Sequence, residues 1–220
     1  MAEDVRTALD TTGMESFEKQ FKKPHCVVLD SAYCSMGRMI GVRACRMSGY
    51  EFYDAVILLE LVPECGVSAD DLAAYEEKTK ARIWTKEEMQ ADPEYQKLKK
   101  VFDLAIDRAL AKGPCLIHDR AGKDEILARG YTCISAMTYA EKPEYLIERA
   151  KVSPLYKDLT DGALILEKIR EEDNNRKSWH NASSDIPWGQ KENYDLVINS
   201  DEFGRDYSAV LLAMTMKDPQ

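Results

Sequence analysis

The chain has 220 residues, 45% hydrophobic and 31% charged, enough for one domain whose core needs neither disulfide nor metal. Its 39 Asp and Glu against 30 Lys and Arg leave a net charge of -9, which excludes a general binder of nucleic acid, because counterion release needs a dense basic surface. No apolar run reaches the roughly 18 residues of a membrane span, and the polar start MAEDVRTALD lacks the layout of a signal peptide, so a cytoplasmic protein with no membrane partner is expected.

In chain order, the first twenty residues are polar and weakly periodic and read as a lead-in. Residues 25–29 (HCVVL) form a short valine-rich run that suits a buried strand, as do 114–117, 131–136 and 194–198. Helical spacing lies between them. Leu98, Val101, Phe102, Ala105, Ile106, Ala109 and Leu110 make one apolar stripe that stops at Gly113-Pro114. Ser68 with Asp71, and Thr85 with Glu88, have the spacing of capped helix starts. Further helices are expected over about 38–47, 54–64, 143–151 and 161–178, with a last one carrying Tyr207, Val210, Leu211 and Met214. Strands alternating with helices predict an α/β fold, a parallel sheet with helices on both faces and a ligand site beyond the carboxyl ends of the strands.

The six cysteines are scattered without a CxxC pair and read as reduced core thiols. His25, His118 and His180 are too far apart in sequence to suggest a metal site, and no Ser-His-Asp arrangement follows from spacing.

The segment that carries chemistry is the turn after the first run, Asp30-Ser31-Ala32-Tyr33-Cys34-Ser35-Met36-Gly37-Arg38-Met39. A strand, small residues, then Gly and a basic residue at a helix start can cradle phosphate on backbone N–H groups. Taken alone it reads equally as an ordinary strand-to-helix turn, because the standard G-x-x-x-x-G-K-[ST] loop is met only at Gly37 and Arg38.

Three further segments, in order, strengthen the first. The run from Cys26 to Asp54 resembles the opening of the cytidylate kinase-like proteins, a bacterial branch of the nucleoside monophosphate kinases, at Ser31, Ser35, Gly37, Arg38, Ile40, Gly41 and Phe52-Tyr53-Asp54. PCLIHDRAGKDEIL resembles the family's strand ending in Gly-Arg, with Arg120 at the arginine. The helix from Ile169 to Arg176 resembles its lid, and Trp188-Gly189 with Asn193 to Ser200 resembles its closing W-G…N-Y-D-L-V-I-N-[ST].

The resemblance implies a three-layer P-loop fold with a single domain over 1–220, its core about 25–215, a helical monophosphate-binding insertion about 54–112 and a lid about 165–190. It implies transfer of the terminal phosphoryl group of ATP, with Mg2+, to CMP or a similar acceptor. Cys34, Ser35, Met36, Gly37, Arg38 and Met39 would hold the donor phosphates, and Asp54 and Arg120 the acceptor. Arg38, Arg170 and Arg176 would cancel charge on the transferred group, with Asp173 orienting the lid arginines or the metal-bound water.

Three departures bear on this. Met39 stands at the position of the magnesium-binding hydroxyl, so no residue of this chain is assigned as a metal ligand. Cys34 and Met36 replace glycines, which predicts a loop narrower or differently shaped. Asp119 replaces the Gly before Arg120, a repulsive choice beside phosphate unless it holds a cation. A catalytically impaired nucleotide-binding protein of the same fold, or a kinase with a non-nucleotide acceptor, are the alternatives.

Overall fold

The computed structural model describes residues 21–154 and 156–218; the lead-in expected over 1–20 lies outside them. Strand β1 (Cys26–Ser31) feeds helix α1 (Gly37–Ser48), followed by β2 (Glu51–Tyr53), α2 (Ala55–Glu60), α3 (Ala69–Thr79), α4 (Lys86–Ala91) and α5 (Pro93–Lys112). Then come β3 (Cys115–His118), α6 (Lys123–Ala128), β4 (Cys133–Tyr139), α7 (Pro143–Lys151), α8 (Gly162–Ser183), β5 (Leu196–Asn199) and α9 (Ser200–Met214). The strands pair in the order β2-β3-β1-β4-β5, every pair parallel.

Side-chain parity in β1 builds the layers. Val27 and Leu29 point to one face and pack with Ile40, Ala44, Ala209 and Leu212 of α1 and α9. Cys26 and Val28 point to the other and pack with the α5 stripe, including Phe102, Ala105, Ile106 and Ala109. Both faces are therefore covered, which is why β1 and β3 are buried throughout.

The expected helix starts at Ser68 and Thr85 are full capping boxes, and α5 ends at Gly113 with φ 141. Three expectations needed correction. Strand β2 was not expected; it pairs Glu51, Phe52 and Tyr53 with Cys115, Leu116 and Ile117 on the sheet edge. The helix expected over 54–64 stops at Glu60, because Pro63 starts a separate 3-10 turn. The helix expected over 161–178 runs five residues further, to Ser183, since its buried end, Trp179 and Ala182, belongs to the main core. All six cysteines are free.

In this strand order β1 lies between β3 and β4, and the chain crosses to opposite sides of it. Ser31, His118 and Thr138 therefore come together where the carboxyl ends of three strands open.

Candidate functional site

The loop after β1 is held from beneath. Ser35 is fully buried, and its Oγ is 3.1 Å from the Thr138 carbonyl and 2.9 Å from Thr138 Oγ1. Gly37 is required by space: a Cβ there would stand 2.3 Å from Ser31 Cβ and 2.8 Å from Thr138 Oγ1. Cys34 and Met36 adopt φ 66 and φ 61, so the loop keeps the left-handed turns that glycine would take. At each the backbone accepts a strain of about 1 kcal/mol. The start of α1 has no side-chain cap and no acid in its first turn, leaving its N–H groups and positive end open to an anion.

Two clefts meet here. The first, about 190 Å³, lies over the loop and is lined by Arg38, Arg149, Arg176 and His118 among loop residues, with no carboxylate in its wall. The second, about 350 Å³, carries Asp54, Glu76, Asp119, Arg120 and Glu172. Arg38, His118 and Arg176 line both. A larger cavity, about 720 Å³, opens at the amino ends of β4 and β5, where Leu127, Cys133, Ile134 and Leu196 make it mainly apolar and Lys123 is bound to Asp195. It gathers no comparable set of arginines.

Most cations of the second cleft have a carboxylate partner. Arg38 Nε donates to Asp54 Oδ2 at 2.6 Å, while Asp54 Oδ1 caps α2 through the Ile57 N–H at 3.0 Å. Arg120 pairs with Glu76, lies against Phe102 and Trp179, and leaves its buried Nε without a partner. Arg176 Nη1 donates to the Ser31 carbonyl at 2.7 Å, to Ser31 Oγ, and to Asp119 Oδ2 at 2.7 Å. Asp119 thus holds a cation, the condition under which an acid beside phosphate is tolerable. Burial pushes its carboxyl up, but Arg176, His118 and Arg120 outweigh that and hold it below the usual range.

His118 Nε2 lies 3.0 Å from Ser31 Oγ and 3.1 Å from Asp119 Oδ2. Both oxygens meet the same ring nitrogen, so this is not the relay of a Ser-His-Asp triad, in which they occupy opposite nitrogens. Burial pulls the His118 pKa down, against the opposing pull of Asp119. Behind the loop, Asp30 accepts from Tyr194 Oη at 2.8 Å and from His180 Nδ1 at 3.0 Å, while His180 Nε2 meets the Ile186 carbonyl at 2.9 Å. Burial works against the imidazolium, yet Asp30 more than compensates and lifts His180 to about 9.

Of the site residues expected from sequence, the structure brings together Cys34, Met36, Gly37, Arg38, Met39 and Arg176 around the first cleft and Asp54 and Arg120 in the second. Ser35 is turned inward. Asp173 lines neither cleft but accepts the Tyr33 N–H at 2.6 Å, and burial raises it to about 6. Arg170 is not brought to the site: it is exposed on α8 and lines neither cleft, because that turn of the helix buries Ile169 instead. Glu76, His118 and Arg149 were not expected as site residues, since they come from three different elements, while Ser31 was matched only as part of the loop motif. Arg149 sits among alternating charges on α7, a pattern that ordinarily means a solvated face.

A parallel α/β sheet with a phosphate-cradling loop after its first strand, helices on both faces and two clefts beyond the strand ends is a P-loop kinase-like fold. The sequence profile of the cytidylate kinase-like family matches residues 26–202, and the chain belongs to that family. Among solved structures, an uncharacterized protein from Eubacterium ventriosum is similar at TM-score 0.62 and 15% identity, over 87% of this chain and 98% of that one. The shikimate kinase of Bacteroides thetaiotaomicron is similar at TM-score 0.51 and 10% identity, over 87% and 95%. At these identities the likeness concerns the fold alone. A comparison with curated proteins finds no match.

A fold of this kind generally uses ATP and Mg2+. The loop fits the phosphates of a nucleotide. It does not fit a metal held by the protein: position 39 offers a thioether, Ser35 Oγ is spent on Thr138, and both Asp119 oxygens are taken by Ser31 and Arg176.

Proposed function

We propose that this protein is a small-molecule phosphotransferase that moves the terminal phosphoryl group of ATP to CMP or a similar phosphorylated acceptor. The observation that carries the reading is the common wall of the two clefts, where Arg38 and Arg176 face both. Phosphoryl transfer demands positioning and cancellation of spreading negative charge rather than covalent help. In this reading the donor phosphates lie on the loop and the open end of α1. Arg38 and Arg176 span donor and acceptor, Arg120 holds the acceptor phosphate, and Asp173 fixes the loop through the Tyr33 N–H. A coupled assay for ADP release over a panel of nucleoside monophosphates tests it, and turnover that depends on one acceptor is the expected result.

The second reading, a nucleotide-binding protein that has lost catalysis, is favoured by Met39 at the hydroxyl position. ATP binding without turnover on any acceptor would establish it over the first. Failure to bind ATP would overturn both.

A further inference from the structure

We infer that the first cleft holds its nucleotide polyphosphate by guanidinium charge, with no divalent metal held by the protein. This rests on the reading of that cleft as the ATP site and goes beyond it. Magnesium takes oxygen ligands in near-octahedral geometry and is usually fixed by one or two protein oxygens together with the phosphates. The side-chain oxygens of Ser35, Ser31 and Asp119 are committed elsewhere, and Asp30 gives its Oδ2 to Tyr194 and His180. Ser35 Oγ is buried against Thr138. Ser31 Oγ contacts Arg176, His118 and Asp119. The Asp119 carboxylate accepts from Ser31 and Arg176, and Asp173 lines neither cleft. Among the described residues no group of three His, Cys, Asp or Glu is placed to hold a metal ion.

The charge a metal would bring is already present in another form. Arg38, Arg149 and Arg176 line the cleft and no carboxylate does, although Arg38 and Arg176 also pair with Asp54 and Asp119 of the neighbouring cleft. Guanidinium groups bind phosphate oxygens in bidentate geometry and stay charged at any working pH. Arg149 is the most available of the three. It has no carboxylate partner among the described residues, its Nη2 lies 3.6 Å from Met39 Sδ, and its Nε is buried without a hydrogen bond. A buried donor left unpaired is costly, and a phosphate oxygen in the cleft would relieve that cost. Arg149 therefore stands beside the residue that replaced the metal-binding hydroxyl, supplying the missing positive charge.

Calorimetric titration of ATP into the full chain, in EDTA and in excess MgCl2, tests this. Affinities that agree within about threefold in the two buffers are expected, and Arg149→Gln should weaken binding by about tenfold or more in both. A thermal melt confirms that the variant is folded. Binding that weakens more than about tenfold in EDTA overturns the inference while leaving the ATP site intact. Absence of binding in both buffers overturns the inference together with the site. Met39→Thr restores an oxygen at the metal position, so its ATP affinity should become magnesium-dependent. Continued indifference in that variant would overturn the assignment of the effect to position 39.

Discussion

The His180–Asp30 pair makes the stability of the fold depend on pH in a window that can be stated in advance. His180 comes from the end of α8 and Asp30 from β1, next to its last residue Ser31, so the pair ties α8 to the strand that carries the loop. Folding raises His180 from its ordinary 6.5 to about 9, and this rise is worth about 3 kcal/mol at 1.36 kcal/mol per pKa unit. A raised value means that the folded state holds the proton more tightly. The contribution is complete below about pH 6.5 and is lost as the pH climbs through 9. Besides Asp30, Glu125 favours the charged ring, and the Ile186 carbonyl accepts its second N–H. His180→Gln keeps a donor but does not titrate. Urea unfolding at intervals from pH 6 to pH 9.5, run on parent and variant, measures the difference directly. The parent should lose about 3 kcal/mol more than His180→Gln across the window. Parallel slopes for the two proteins would refute the charged-pair argument.

Asp173 obeys the same rule with the opposite chemistry. Its rise from 3.8 to about 6 means that ionising it costs the folded state stability as pH passes through that interval. Asp173→Asn keeps an acceptor for the Tyr33 N–H and should gain about 3 kcal/mol at pH 8 relative to the parent in chemical denaturation, while phosphoryl transfer falls. Gly37→Ala places a methyl group 2.3 Å from Ser31 Cβ; a loss of about 2 kcal/mol is expected, with ATP binding abolished, by thermal melt and titration. Glu76→Gln removes the carboxylate that occupies Arg120 and should lower the KM for a phosphorylated acceptor severalfold. A raised KM would show that Glu76 serves the acceptor rather than competing with it.

How much of this was legible in the sequence depends on the distance over which each feature is encoded. The Ser68 and Thr85 caps, the α5 stripe and the Gly37 turn are set by residues within one or two helical turns, and local pattern suffices for them. Asp54 is intermediate: its capping role is local, but its bond to Arg38 depends on β2 placing the end of the Phe-Tyr-Asp triplet beside α1. Strand β2 escaped notice because three residues at a sheet edge, with exposed Glu51 first, show neither alternation nor a continuous apolar run. The knot of Ser31, His118, Asp119 and Arg176 spans up to 145 residues of chain. Only the family resemblance pointed to Arg176, and nothing pointed to His118. Arg170 and Arg176 looked alike in the charged helix, yet the helical rotation between them sends one to solvent and the other to Ser31 and Asp119.

The net charge of -9 argues against long polyanions but not against a small phosphate ligand, and distance is the reason. At physiological salt, charges separated by more than about 8 Å are largely screened, so acids scattered over helix surfaces have little weight inside a cleft. What acts on a bound phosphate is the set of groups lining the cavity, in surroundings where water screens poorly. By that measure the two clefts differ in kind. The loop cleft has no acid in its wall, and although Arg38 and Arg176 pair with Asp54 and Asp119 at its border with the second cleft, Arg149 has no carboxylate partner among the described residues. In the second cleft Asp54, Glu76 and Asp119 neutralise Arg38, Arg120 and Arg176 in turn. An anionic ligand there must offer better geometry than a carboxylate already in place. A phosphate ester with three oxygens in fork range of Arg120 can do so, and a diffuse anion cannot. In the phosphotransferase reading, selectivity among acceptors would thus be set by the acids of the second cleft as much as by its arginines.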